Sequence, residues 1–508
     1  MTPRALLLTT LLLGSSAFST ATLSPTPARA ELRGLWVDAF GPGFKTPQQV
    51  TKLVSDAQKL RLNALFVQVG RRFDCYCNRS SLPRAEDPEL APNFDPLADL
   101  LEKAHKAGIQ VHAWVITTAM WNQSKAPRDP KHAFNLHGPG AKGPANWIDF
   151  KFDGSSKGGA DWYADPGNPA AADYITKMYT SIVQNYAVDG IQFDRVRYPD
   201  YNEIGVASWG YNPLALERFR QETGFRGTPG LGEASWLEWR RTQVTNLVRR
   251  TALEVKAIRP EVWVSAATIT YLEGPADLEA WKRSRTYMEV LQDWATWMSE
   301  GYLDLNVMMN YKNDALLEQA AWFDGWNAFG ALTRGNGYVA AGTALFLNSL
   351  TSSRGQIERA RAAELDGWVG YSYRVPDIEV GTKKRKLEAG LLELTNTLTA
   401  LGAPFEQPLS WGKPDVSALN ALLGRISGKG PLGGRKVEVY SDGSRVNCTL
   451  TDGNGYYGFF ALPTGPLELR VEGGNPLKVT LKLGQVNRVP MLVLPDTPPN
   501  SSRASCEP

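Results

Sequence analysis

The stretch Asp189-Gly190-Ile191-Gln192-Phe193-Asp194-Arg195-Val196-Arg197-Tyr198-Pro199 holds the residues best placed to do chemistry. Ile191 and Phe193 alternate with Gln192 and Asp194, so the segment reads as a short strand with one apolar and one polar face. Asp194 stands at its tip. Arg195, Arg197 and Tyr198 follow, and Pro199 prevents continuation. A carboxylate at a strand end, among cations and an aromatic, suits an enzyme that acts on a polar substrate. The plainer alternative is a structural ion pair of Asp194 with Arg195 or Arg197. Those guanidiniums suit a nucleophile or an anionic substrate group better than a proton donor.

The surrounding elements decide between these alternatives. Strand patterns cover 32–40, 63–70, 109–117, 189–194, 262–270, 303–311, 338–346 and 366–373. Helical patterns at 46–60, 96–107, 169–186, 236–258, 287–300, 315–327 and 356–365 separate them. Strand–helix units in series, without hairpin turns, predict a parallel sheet, and eight strands close a (β/α)8 TIM barrel. A doubly wound open sheet is the alternative, but no Gly-rich nucleotide loop follows the first strand. Active sites in such barrels lie at the C-terminal ends of the strands.

That geometry selects the candidates. Asp194, Asp38, Glu273 and Asp314 are the candidate catalytic carboxylates. Arg71, Arg72, Asp74, His112, Trp114, Gln192, Arg195, Arg197, Tyr198, Asn310, Tyr311 and Tyr373 are candidate substrate-binding residues. Carboxylates, amides and aromatics on one rim suit a saccharide, whose C–H faces stack on rings while its hydroxyls need polar partners. Each has a plainer role: Asp38 a loop cap, His112 a buried barrel residue, Arg71 and Arg72 solvated cations. Asp189, ahead of its strand, reads as structural.

Composition narrows the class. The chain has 508 residues, enough for more than one domain. Its net charge of +3 is too small to argue for nucleic acid. The 16 Trp and 18 Tyr fit either a large core or sugar platforms. Only four His occur, without metal-ligand spacing, so no metal or other cofactor is expected. Arg4, an apolar run at 5–13 and Ala28-Arg29-Ala30 read as a cleavable signal peptide over 1–30. The chain is therefore expected to be secreted, periplasmic or associated with the cell-envelope surface. No stretch of the mature chain is apolar enough to cross a membrane. An oxidising compartment permits a tight bridge between Cys75 and Cys77, and one between Cys448 and Cys506 would tie the tail to the last domain.

The expected organisation is a barrel over 31–401, a Pro/Gly-rich linker over 402–420, a small all-β sandwich over 421–494 and a flexible tail over 495–508. Asp442-Gly443, Asp452-Gly453 and Gly473-Gly474 mark turns in the sandwich.

Several segments resemble the glycosyl-hydrolase-like 10 family of exported bacterial proteins. They are Glu31-Leu32-Arg33-Gly34-Leu35-Trp36-Val37, Phe94-Asp95-Pro96-Leu97, the run from Ala104 to Trp114, Asp165-Pro166-Gly167, and above all Asp189 to Pro199. The resemblance spans 31–374 and implies a TIM barrel acting on a polysaccharide, with peptidoglycan strands the best-known substrate class. It makes Asp194 the leading acid. Residues 424–462 resemble a carboxypeptidase regulatory-like domain, which implies an accessory module.

Glycoside hydrolysis needs an acid for the leaving oxygen and a second group for the anomeric carbon. Many barrel glycosidases place these at the ends of strands 4 and 7, but the seventh strand here ends near Asn348, with no carboxylate. The second group is then another rim carboxylate or the substrate's own N-acetyl group. The fourth strand is also similar to the chitinase pattern, except that Gln192 replaces one Asp and Val196 stands at the acid Glu position. A non-catalytic glycan-binding or scaffolding protein and a lytic transglycosylase-like enzyme are the alternatives.

Overall fold

A computed structural model describes residues 30–495 and Cys506. The signal-peptide and tail readings otherwise lie outside the described residues. Eight strands form one closed barrel: Leu32–Val37, Ala64–Gly70, Gln110–Ile116, Gly190–Asp194, Trp263–Ile269, Leu305–Met309, Tyr338–Ala344 and Gly367–Tyr371. Neighbours in the chain pair in parallel, and the eighth strand closes on the first, with Trp36 opposite Tyr371. This is the expected TIM barrel.

The helices begin where the residue chemistry dictates. Pro47–Lys59, Pro96–Lys106 and Pro169–Asn185 each start with a proline whose missing N–H costs nothing there. Thr46, Asp95 and Asn168 cap them by accepting from the first-turn N–H groups. One expected helix, 287–300, is broken into Arg285–Met288 and Trp294–Ser299. Leu291 between them takes φ +55°, and the Asp293 side chain caps the second piece.

Alternation sorts the strand side chains. Ile191 and Phe193 join the shell between strands and helices, while Trp36, Phe66, Trp114 and Trp263 fill the barrel interior. Two glycines make room for interior rings. A Cβ at Gly342 would lie 2.5 Å from the Trp36 indole, and one at Gly190 2.3 Å from His112. Trp411, from the irregular segment after the last barrel helix, stacks on Trp263 at 5.2 Å between ring centroids. It closes the end of the barrel opposite the strand tips.

Beyond the barrel, Lys436–Ser441 pairs antiparallel with Ser444–Leu450 and Pro466–Val471. Asn420–Ser427 pairs antiparallel with Tyr456–Phe459 and parallel with Gln485–Arg488. These sheets pack on helix Ala234–Ile258, where Arg250 lies 3.8 Å from the Tyr456 ring centroid and Arg249 donates to the Leu450 carbonyl. Disulfides join Cys75 to Cys77 and Cys448 to Cys506. Among the described residues, no helix is long and apolar enough to cross a membrane.

Candidate active site

A cavity of about 360 Å³ opens at the C-terminal ends of the strands. Trp36, Gln68, Trp114, Asp194, Ala267, Met309 and Tyr371 line it from seven of the eight strands. Phe40, Arg71, Arg72, Arg195, Arg197, Thr270, Tyr271 and Tyr311 join from the loops. Among the described residues, the seventh strand contributes nothing to the lining, and Asp194 is its single carboxylate.

Asp194 is oriented by two donors. The Trp114 indole N–H donates to Oδ2 at 3.0 Å, and the backbone N–H of Arg195 donates to Oδ1 at 2.7 Å. Trp114 sits two residues before the end of the third strand, and Ile116 pairs with Asp194 across the ladder. The barrel register therefore brings the indole to the carboxylate. Asp194 is 8% exposed, so its orientation is set by protein groups while one face meets the cavity.

The four lining arginines are tethered around the cavity. Asp161 accepts from Arg72 Nε at 3.0 Å and from Arg195 Nη1 at 2.9 Å, joining the loops after strands 2 and 4. Arg71 reaches Asp74 at 3.4 Å and Asp87 at 3.6 Å. Arg197 reaches Asp200 at 3.6 Å. Among the described residues, neither Arg195 nor Arg197 forms an ion pair with the Asp194 side chain.

The lining also carries an aromatic cluster. Tyr311 and Tyr371 stack with centroids 5.5 Å apart, and Trp36 meets each edge-on at 6.1 Å. The Trp36 indole N–H donates to Gln192 Oε1 at 2.6 Å, which fixes its ring. Burial first, then the nearby Asp38 and Asp194 charges, push the Tyr371 phenol up to about 12. Burial, with Tyr371, Asp194 and Asp38, drives the Tyr311 phenol well above its ordinary range. Both phenols stay protonated and can donate.

The structure thus brings Asp194, Arg71, Arg72, Trp114, Arg195, Arg197 and Tyr311 together on one cavity. The other expected residues lie elsewhere. Asp38 accepts from Phe40 N, Ser372 Oγ and Arg374 Nε. Asp314 faces Arg359, and Glu273 is exposed on its loop. Asp74 accepts from Arg72 N, Tyr198 donates to Asp165, and Tyr373 donates to Asp56. Asn310 donates to Phe323 O and Asn327 Oδ1. Gln192 lies beneath Trp36. His112 is fully buried against Phe66, and burial lowers it to about 4. Asp189 accepts from Val111 N at the opposite end of the strand.

Trp36, Gln68, Tyr271 and Tyr371 are lining residues outside the selected set. Alternation from Leu32 and Gly34 carries Trp36 to the inner face, which is a signal for it. Asp161 has no such signal, because the long loop that carries it has no period.

The glycosyl hydrolase-like 10 profile matches residues 31–324. The chain is 24% identical over 343 residues to glycosyl hydrolase YngK of Bacillus subtilis (strain 168), covering 63% of this chain and 60% of that one. It is 30% identical over 254 residues to glycosyl hydrolase DigH of Escherichia coli O6:H1, covering 49% of this chain and 54% of that one. The match therefore spans less than two thirds of either relative. Among solved structures, the PgaB (BpsB) glycoside hydrolase domain of Bordetella bronchiseptica aligns with a TM-score of 0.48 and 14% identity, over 71% of this chain and 98% of that one. With more than half its length matched by the family profile, the chain belongs to the glycosyl hydrolase-like 10 family.

Proposed function

We propose that the protein is an exported glycoside hydrolase that cleaves O-glycosyl bonds in an N-acetylated polysaccharide of the cell-wall type. The observation that carries this reading is Asp194, the one carboxylate lining a cavity walled by Trp36, Trp114, Tyr311 and Tyr371. The relatives' names, glycosyl hydrolase in both cases, agree with it.

A single acid favours the substrate-assisted route over a carboxylate pair. Asp194 protonates the glycosidic oxygen as the bond to the anomeric carbon breaks. The acetamido oxygen of the same sugar attacks that carbon from the opposite face and forms a bicyclic oxazolinium ion. Water then opens the ion and gives its proton back to Asp194, with net retention. The protonated phenols of Tyr311 and Tyr371 supply donors beside the reacting sugar, and the indoles supply apolar surface for its C–H faces.

The test is reducing-end release from N-acetylated glycan strands, together with inhibition by a thiazoline analogue of the bicyclic ion. Release with retention and tight thiazoline binding is expected. Anhydro ends in the mass spectrum mean lytic elimination by Asp194, a one-carboxylate reaction that the same lining accommodates. Glycan binding with no product means a non-catalytic receptor. The β-sheet region after the barrel, which we read as a carboxypeptidase regulatory-like accessory module, is outside this chemistry.

A further inference from the structure

We infer that Thr118 is a positioning residue for Asp194, acting through the backbone turn that follows the fourth strand. The inference rests on the reading of Asp194 as the reacting carboxylate. Thr118 does not line the cavity and is 1% exposed. Its hydroxyl donates to the carbonyl of Arg195 at 2.8 Å and lies 3.3 Å from the carbonyl of Arg197. One O–H thereby spans both ends of a three-residue turn.

That turn is the part of the chain that needs holding. Arg195 has φ +50°, in the left-handed region that a residue with a Cβ rarely adopts. The same residue's N–H donates to Asp194 Oδ1 at 2.7 Å. The carboxylate is therefore oriented by a backbone group whose own residue is conformationally disfavoured. Such conformations persist when surrounding contacts over-determine them.

Those contacts come from three other elements. Gln292 donates to the Val196 carbonyl at 3.3 Å, and its Oε1 accepts from Ile269 N at 2.8 Å. The Tyr198 N–H donates to Val290 O at 3.1 Å, and its hydroxyl to Asp165 Oδ1 at 3.0 Å. Thr118 binds the carbonyl of the residue in the left-handed conformation, the one that directly follows Asp194. Its backbone is fixed in turn, because its carbonyl accepts from Ala164 N at 2.8 Å and the preceding Thr117 N–H donates to Asp194 O at 2.8 Å. A displacement near 1 Å at a reacting group costs ~10²-fold in rate.

The test compares Thr118→Val, which keeps the shape and removes the hydroxyl, with Thr118→Ser, which keeps the hydroxyl. Both are made in the full chain. Thr118→Val is expected to lose ~10–100-fold in kcat with KM within about twofold, and Thr118→Ser to retain most of the activity. A second readout needs no turnover. In protein labelled with 15N-tryptophan, the Trp114 indole N–H resonance, assigned by its loss in Trp114→Phe, reports the bond to Asp194. It is expected to move in Thr118→Val and to stay in place in Thr118→Ser. Equal losses in both variants, or an unmoved resonance and full kcat in Thr118→Val, overturn the proposal. If Asp194→Asn proves fully active, the reading of Asp194 fails, and the indole resonance still decides whether Thr118 orients that side chain.

Discussion

Trp114 and Asp194, 80 positions apart in the chain, meet through an indole N–H to carboxylate bond of 3.0 Å on the wall of the cavity. Trp114 brings both a hydrogen-bond donor and an apolar face to the same spot. Trp114→Phe keeps a ring and removes the donor. It is expected to lower kcat about tenfold, since orientation of one catalytic group is lost while the group itself remains. Steady-state kinetics on a glycan substrate decide it; an unchanged kcat means the bond does not matter to the reaction.

Asp194→Asn retains the shape and removes the proton-transfer group. Turnover is expected to fall by ~10²–10⁴-fold, the usual worth of a positioned acid–base group. Glycan binding and the thermal midpoint should change little. Measurable hydrolysis at the wild-type rate by a correctly folded Asn variant removes Asp194 from the mechanism.

Asp161 serves two arginines at once, Arg72 and Arg195. Asp161→Asn leaves two cations facing each other across a neutral amide. The Asp161 and Arg72 side chains are 7% and 10% exposed, whereas Arg195 is 34% exposed and partly screened by solvent. The expected loss is therefore about 2 kcal/mol, below the range for fully buried pairs. KM should rise as well, because both guanidiniums line the cavity. Urea unfolding with unchanged midpoint contradicts this.

His112 ties stability to acidity. Burial lowers its imidazole to about 4, below the ordinary 6.5, with Asp189 pulling weakly the other way. The unfolded chain therefore binds a proton between about pH 6.5 and 4 that the folded chain does not. Folded stability is penalised as pH falls through that window, by up to about 3 kcal/mol. His112→Gln is expected to flatten the stability–pH curve there relative to the parent protein. Parallel curves for the two proteins show that His112 does not titrate differently on folding.

Lys312 is the basic counterpart. It is 5% exposed, donates to the Thr270 carbonyl at 2.6 Å, and is lowered to about 8 by burial. Below pH 8 the folded protein carries this desolvated cation at a cost. As pH rises from about 8 to 10.5 the folded form releases its proton first, and the penalty disappears. Lys312→Met is expected to be as stable as the parent or more so at pH 7, with the advantage shrinking toward pH 10. An advantage that grows with pH sinks the idea.

The barrel and the inner face of its strands were legible in the sequence because periodicity is a local property. Ile191 and Phe193 against Gln192 and Asp194 define two faces without reference to any distant residue. The same alternation carries Trp114 and Tyr311 to the rim with Asp194. Capping residues Thr46, Asp95 and Asn168 likewise announce their helices. The break at Leu291 was not legible, since the helical spacing of apolar residues over 287–300 carries no mark of a single left-handed residue.

Strand-end position alone left Asp38, Asp194, Glu273 and Asp314 equivalent, all carboxylates expected at one rim. Tertiary packing distinguished them. Asp38 turns to Arg374 and Ser372, Asp314 turns to Arg359, and Glu273 stays in solvent, leaving Asp194 on the cavity. Asp161 and Thr118 brace the site from loops and turns with no period, and Gln292 does so from the break in an expected helix, so only the folded chain reveals them. The sequence by itself determined which side of each strand a residue takes, because that depends on parity along one segment. Which charges meet, and which carboxylate remains facing the cavity, depended on closing loops over tens of residues, and only the tertiary structure decided it.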